Sequence, residues 1–192
     1  MKIRVVFCVI AAAAFLLVFV TGINCMNKGK KGAIIYASRY GSTAQTAEWI
    51  AEGMEGMAEV MPVSEAADLS SYDFVILGSG IYGGQFHKDM RAFLEEKKEE
   101  LSQKITAIFV VCGASGSYAQ GYLDMFAEES GTTPSLMKAF GGWLKKELLS
   151  SEDFKILESY YKSINSPFEN YDHTDKAKAL EFGREIKNKL SE

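Results

Sequence analysis

The sequence predicts an α/β domain: a doubly wound, five-stranded parallel sheet with helices on both faces. Three observations carry that prediction. Apolar, β-rich runs alternate with amphipathic stretches about five times between residues 32 and 190. The strongest runs, 32–37, 73–77 and 105–112, are continuously apolar, as strands buried on both faces must be. Each of the three is followed by a loop rich in Gly, Ser, Thr or Tyr, at 38–43, 78–84 and 113–118. Right-handed crossovers leave few ways to connect such a sheet.

The elements follow in order. Residues 1–25 are predicted to be a membrane anchor or signal segment, and 26–31 a basic linker. Val5 to Ile23 carries no charge. Nineteen helical residues span roughly 28 Å, close to the hydrocarbon thickness of a bilayer. As an uncleaved anchor, the stretch has Lys28, Lys30 and Lys31 on one flank and Lys2 and Arg4 on the other. That balance favours a cytoplasmic domain held by an N-terminal helix. Alternatives are a lipoprotein modified at Cys25, although Gly22-Ile23-Asn24 is a poor lipobox, and translation beginning at Met26.

The domain then occupies residues 32–192. Gly32 to Ala37 is the first strand. Ala47, Ile50, Ala51, Met54 and Met57 recur at helical spacing. Glu59 to Val63 is a short second strand. Asp73 to Leu77 is the third, ending at the glycine-rich loop 78–84. Phe86, Met90, Phe93, Leu94 and Leu101 form one helical stripe, whose charged side, 95–100, is a solvated face. Ile105 to Cys112 is the fourth strand. Gly121 to Glu129 reads as helix, and Leu136 to Trp143 as a fifth strand interrupted by Gly141-Gly142. Lys145 to Ile164 reads as helix, which Pro167 ends. Ala179, Phe182, Gly183, Ile186 and Leu190 mark a last helix, capped by Thr174 or Asp175.

Composition narrows the function. Residues 1–31 hold 5 of the 21 basic residues and none of the 25 acidic ones, so the remainder has 16 basic and 25 acidic residues and a net charge of −9. An acidic body argues against nucleic acid as a partner and fits a protein that meets basic partners. Of the three cysteines only Cys112 lies in the domain, among apolar neighbours, and reads as a buried thiol. His87 and His173 have no ligand pattern around them, so no metal site is predicted.

In an open parallel sheet, ligands bind beyond the carboxyl ends of the strands. The three loops lie there. The first, Ser38-Arg39-Tyr40-Gly41-Ser42-Thr43, offers hydroxyls and backbone N–H groups at a helix start, which can hold a phosphate. It lacks the pattern of a nucleoside triphosphatase loop. Taken alone, it also reads as an ordinary N-cap. The second loop matches G-x-G-x-x-G, but it follows the third strand and no acidic residue stands at a strand end about 20 residues on, so a dinucleotide site is the wrong context. Ser79, Gly80, Ile81, Tyr82 and Gly83 instead suit close approach of backbone to a flat ring, with Tyr82 able to stack. Gly113, Ala114 and Ser115 offer the same on the third loop, with Tyr118 as a second aromatic. No His, Lys or Asp is placed as an acid or base, so no catalytic residue is named.

A phosphate loop first and flat-ring loops second and third is the layout of flavodoxins, and residues 32–190 resemble that family. Its phosphate loop is T/S-x-T-G-x-T; here Tyr40 replaces the central Thr and Arg39 adds a positive charge. The resemblance implies strand order 2-1-3-4-5 and FMN as cofactor, held at the residues of the three loops. AIIYASRYGSTAQTAEWIA, GSGIYGGQFHKDMRAFLEE and YDHTDKAKALEFGREI are similar to the flavodoxin subfamily that includes menaquinone-dependent protoporphyrinogen oxidases. That subfamily enlarges a segment near the fifth strand for membrane or substrate contact, and residues 119–172 here are longer than a minimal flavodoxin requires. The resemblance implies a membrane-associated flavin oxidoreductase with a quinone or a redox protein as partner. The alternatives are a one-electron carrier between protein partners and a flavin-free interaction module.

Overall fold

The computed structural model describes residues 30–113 and 116–192. The hydrophobic N-terminal segment and most of the basic linker, and also Ala114 and Ser115, lie outside the described residues. Among the described residues no helix is long and apolar enough to cross a membrane.

Five parallel strands form the sheet. They are β1 (Gly32–Ala37), β2 (Ala58–Pro62), β3 (Phe74–Tyr82), β5 (Ile105–Cys112) and β6 (Leu136–Gly141), in the order β2-β1-β3-β5-β6. This is the order 2-1-3-4-5 expected of the five predicted strands. A two-residue strand β4 (Gln85–Phe86) folds back antiparallel on β3. Successive side chains leave a strand on opposite faces. Ala33 and Ile35 therefore enter one core with Leu77, Met90, Phe93 and Phe126, whereas Ile34 enters the other with Ile50, Ile76, Phe109 and Phe182.

The first core is covered by α2 (Lys88–Glu96), α3 (Lys98–Leu101) and α4 (Gly116–Ser130). The second is covered by α1 (Ser42–Gly53) and α6 (Lys176–Ser191). The helical stripes at 47, 50 and 54 and at 179, 182 and 186 are all buried here. Asp175 is the cap of α6, accepting from the Lys178 N–H at 3.0 Å. α1 and α6 approach closely at two glycines. A Cβ on Gly183 would stand 2.2 Å from the Ile50 carbonyl oxygen, and one on Gly53 would stand 2.3 Å from that of Leu180.

Several expectations are corrected. The stretch 78–82 is strand, not loop: β3 runs on to Tyr82, and the turn is Gly83-Gly84, both at positive φ. Gly78 is needed in the sheet because the Phe109 ring lies across it; a Cβ there would meet the ring at 2.1 Å. The stripe 86–101 is not one helix: Phe86 sits in β4, and Lys97 separates α2 from α3. The fifth strand stops at Gly141. Trp143–Leu144 (β7) instead pairs antiparallel with Tyr171–Asp172 (β8). Lys145 to Ile164 is a 3-10 turn at 146–148 followed by α5 (Ser151–Ser163). Ser150 caps that helix, accepting from the Asp153 N–H at 3.1 Å.

Gly183→Ala should destabilise the domain by about 1–3 kcal/mol, although alanine is the better helix former, because a methyl group must push the packed backbones of α1 and α6 apart. A lower urea midpoint at unchanged slope is the expected reading. An unchanged or higher midpoint would show that the contact of α1 with α6 is looser than these distances.

Candidate functional site

The carboxyl ends of β1, β3, β5 and β6 open on one cavity of about 570 Å³. Each strand sends a different piece of chain to it.

After β1 the chain turns through the first loop. Gly41 is left-handed at φ 92° and is the N-cap position of α1, but no side chain caps the helix and no acidic residue stands in its first turn. The Ser38 hydroxyl accepts from the Gly41 N–H at 3.1 Å, bracing the loop rather than capping the helix. The ordinary-cap reading of the hydroxyls therefore does not describe this helix start. Thr43 is fully buried, and its hydroxyl has no hydrogen-bond partner among the described residues. An unpartnered buried hydroxyl costs about 1–3 kcal/mol. Together with uncapped helix amides, it is a ready anion site.

After β3 comes the hairpin. Tyr82 folds back so that its hydroxyl lies over Gly80, where a Cβ would meet it at 2.6 Å. The hydroxyl accepts from the Arg39 N–H at 2.7 Å, and the Arg39 guanidinium lies 5.0 Å from the Tyr82 ring centroid. Burial, foremost, pushes the Tyr82 phenol up. Tyr82 is thus tied to the first loop while still lining the cavity with Gly80, Ile81 and Gly83. Ser79 is fully buried beneath, its hydroxyl accepting from the His87 N–H at 2.9 Å. His87, half-buried, caps α2 by accepting from the Asp89 N–H at 3.2 Å. Desolvation holds its pKa below the ordinary value, which keeps Nδ1 free to accept.

After β5, Gly113 and the buried Cys112 line the cavity. A Cβ on Gly113 would stand 2.7 Å from the Tyr171 hydroxyl. Burial pushes the Tyr171 phenol up to about 12. Tyr118, expected at the ring, is 77% exposed on α4 and does not line the cavity. Tyr122, one turn further on, does.

After β6, Gly142 passes so close that its Cβ would meet Ser42 Oγ at 3.2 Å and Val111 Cγ1 at 3.1 Å. Trp143 then lies against Gly41 and donates its indole N–H to the Tyr40 carbonyl at 2.8 Å. α5 closes the cavity with the side chains of Asp153, Ile156, Leu157, Tyr160 and Tyr161, one helical face by spacing. The Asp153 carboxylate accepts from Arg39 Nη1 at 2.7 Å and from the Tyr40 hydroxyl. The Tyr40 hydroxyl first, then Arg39, holds this carboxyl below the ordinary carboxylate value.

The structure therefore brings Arg39, Tyr40, Ser42, Gly80, Ile81, Tyr82, Gly83 and Gly113 to one cavity. Ser38 and Gly41 brace the loop behind it, Thr43 lies buried in the first turn of α1, Ser79 sits below, and Tyr118 points elsewhere. Trp143, Asp153 and the tyrosines at 122, 160, 161 and 171 carry no signal in the sequence that marks them as site residues. Tyr122 reaches the site from α4, and the others only because 143–172 folds back over it. A groove of about 670 Å³ also runs beside the edge strand β6, away from the first loop. Among the described residues no cluster of His, Cys, Asp or Glu could hold a metal.

A family profile described as a flavodoxin domain matches residues 33–166. No curated protein sequence matches the chain. Among solved structures, a flavodoxin from the domain Archaea is 18% identical, with 84% of this chain and 99% of that chain covered at a TM-score of 0.54. Two-electron reduced flavodoxin from Megasphaera elsdenii is 16% identical, covering 82% and 98%, at 0.54. Oxidised flavodoxin 1 from Bacillus cereus is 20% identical, covering 81% and 96%, at 0.51. At these identities the likeness is one of fold.

Two outcomes follow from the site. Thr43→Val should leave the ligand-free protein as stable as before or about 1 kcal/mol more so, by removing an unpartnered buried hydroxyl, while weakening phosphate binding. Urea unfolding with and without inorganic phosphate reads both. A clear loss of ligand-free stability would mean that the hydroxyl has a partner. The second concerns pH. The Asp153 carboxyl is held below its ordinary 3.8, so its contribution is fully present above that pH and is lost as pH falls through the lowered value. Asp153→Asn should therefore be less stable than the parent near neutrality and converge with it in acid. A gap constant with pH would remove the carboxylate charge from the account.

Proposed function

Because the chain belongs to the flavodoxin-domain family, we propose that the cavity binds FMN and that the protein is a membrane-associated flavin oxidoreductase. The observation that carries the cofactor is the buried, unpartnered Thr43 hydroxyl at the uncapped start of α1, beside a cavity walled by glycine backbone and aromatic rings. The residues fit the group. Ser42, Thr43 and the first amides of α1 would hold the phosphate, as helix starts hold anions. Backbone at Gly80 to Gly83 and at Gly113, with Trp143 and Tyr82, would flank the flat ring. When bound, FMN supplies the hydride and electron chemistry, and the protein supplies orientation and electrostatics. The acidic body disfavours an added negative charge at the ring.

The enlarged segment favours an enzyme over a simple carrier. A carrier needs the ring edge exposed to another protein. Here Ile156, Leu157, Tyr160 and Tyr161 wall the cavity, which suits an apolar, flat electron donor or acceptor such as a quinone. Ile156 and Tyr160 are both more than half exposed, and so present apolar surface at the mouth. A protoporphyrinogen-type donor and a quinone acceptor fit that wall and the subfamily resemblance. The apolar N-terminal stretch would keep the domain at a membrane, where quinones reside. The second reading, a one-electron carrier, is supported by the fold shared with flavodoxins.

The test is an absorbance spectrum of the purified full chain with and without FMN, then stepwise reduction and turnover with protoporphyrinogen and a soluble menaquinone analogue. Uptake of FMN, a single two-electron reduction and quinone-dependent turnover are expected. Two well-separated one-electron steps without turnover would select the carrier. A colourless protein that takes up no FMN would leave an interaction module.

A further inference from the structure

α5 differs from α1, α2, α4 and α6 in one respect: it has no buried residue. Core packing does not hold it in place. Its ring contacts with Phe168, from Phe154 at 5.2 Å and Tyr161 at 5.3 Å, stay within the excursion 143–172. The base of that excursion is fixed by the β7–β8 ladder, which pairs Trp143 with Asp172 and Leu144 with Tyr171. The other end rests on one carboxylate. Asp153 Oδ2 takes both the Arg39 guanidinium and the Tyr40 hydroxyl, and the same Tyr40 oxygen accepts from the Ser150 N–H at 3.3 Å. Ser150 in turn caps α5 through the Asp153 N–H. Two consecutive residues of the first loop thus grip the first turn of the helix that walls the cavity.

We propose that Asp153 is a positioning residue that holds α5 closed over the cavity, so that a flat ligand enters and leaves only when its contacts with Arg39 and Tyr40 break. With FMN as that ligand, the inference rests on the cavity being a flavin site. The ion pair is charge-assisted and only part-exposed, the side chains being 40% and 22% accessible, so it outlasts an ordinary surface pair. The gate is local. Asp153 touches the loop at Arg39 and Tyr40, whereas Thr43 and the helix amides lie further along the chain. Its loss therefore speeds exchange of the ligand more than it changes affinity.

The test uses the full chain in mild detergent, parent against Asp153→Ala, Tyr40→Phe and the double variant. Hydrogen exchange of the ligand-free protein comes first. Amides of 151–163 should exchange roughly tenfold faster in Asp153→Ala, a factor equivalent to about 1.4 kcal/mol, while β1, β3 and β5 are unchanged. Stopped-flow FMN fluorescence comes second. Association and dissociation should accelerate together, roughly tenfold, with the Kd shifting less than about threefold. Tyr40→Phe should give a fraction of the effect, and the double variant less than the sum of the two, exceeding Asp153→Ala only by the lost Ser150 contact. Unchanged exchange in 151–163 would overturn the proposal, as would faster dissociation at unchanged association. If the parent takes up no FMN, the flavin reading fails, and the exchange data alone decide whether Asp153 holds the helix.

Discussion

Parallel strands cannot be joined by tight turns, and that constraint shapes everything else in this domain. Each link between β1, β2, β3, β5 and β6 must cross a face of the sheet, and right-handedness decides which face. Covered on both sides, the central strands β1, β3 and β5 are almost continuously buried, so polar chemistry is expelled to their ends. All five carboxyl ends point the same way. Four of them meet at one cavity, and the loops there can depart from regular structure at no cost to the core.

Within that frame, glycine sets how closely pieces of chain approach. Gly78 lets the Phe109 ring cross the central strand, and Gly53 with Gly183 lets α1 and α6 touch backbone to backbone. Gly142 brings the excursion after β6 against Ser42 and Val111, and Gly41 leaves room for the Trp143 ring. The same residue type therefore serves packing in the sheet and access at the site. The buried Thr43 hydroxyl works against that packing, since a polar group left unpaired in the interior raises the free energy of the fold.

Most of the fold is legible in the sequence because its signals are local. Continuous apolar runs mark the buried strands, and helical stripes at 47, 50 and 54 and at 179, 182 and 186 mark the covering helices. Departures come where a local signal has two meanings. Gly78-Ser79-Gly80 reads as a loop by composition, yet it is central strand, since glycine also serves close packing. Tyr118 reads as a cavity residue, but α4 begins at Gly116, and Tyr118 in its first turn stands exposed, whereas Tyr122, one turn further along the same face, lines the cavity. Gly141-Gly142 reads as an irregularity within a strand and is its end.

The sequence by itself determined the class of fold and, through a family resemblance, the order of the strands, and it singled out the loop from Ser38 to Thr43 as the candidate place for a phosphate. Periodicity, turn chemistry and a contiguous motif are all written within a few residues of one another. Only the tertiary structure decided that the hydroxyl left unpartnered is Thr43, that Trp143 lies on the first loop, and that Asp153 takes hold of Arg39 and Tyr40 more than 110 positions away. Contacts of that separation depend on how the crossovers stack and where the excursion 143–172 folds back, and no local pattern encodes either.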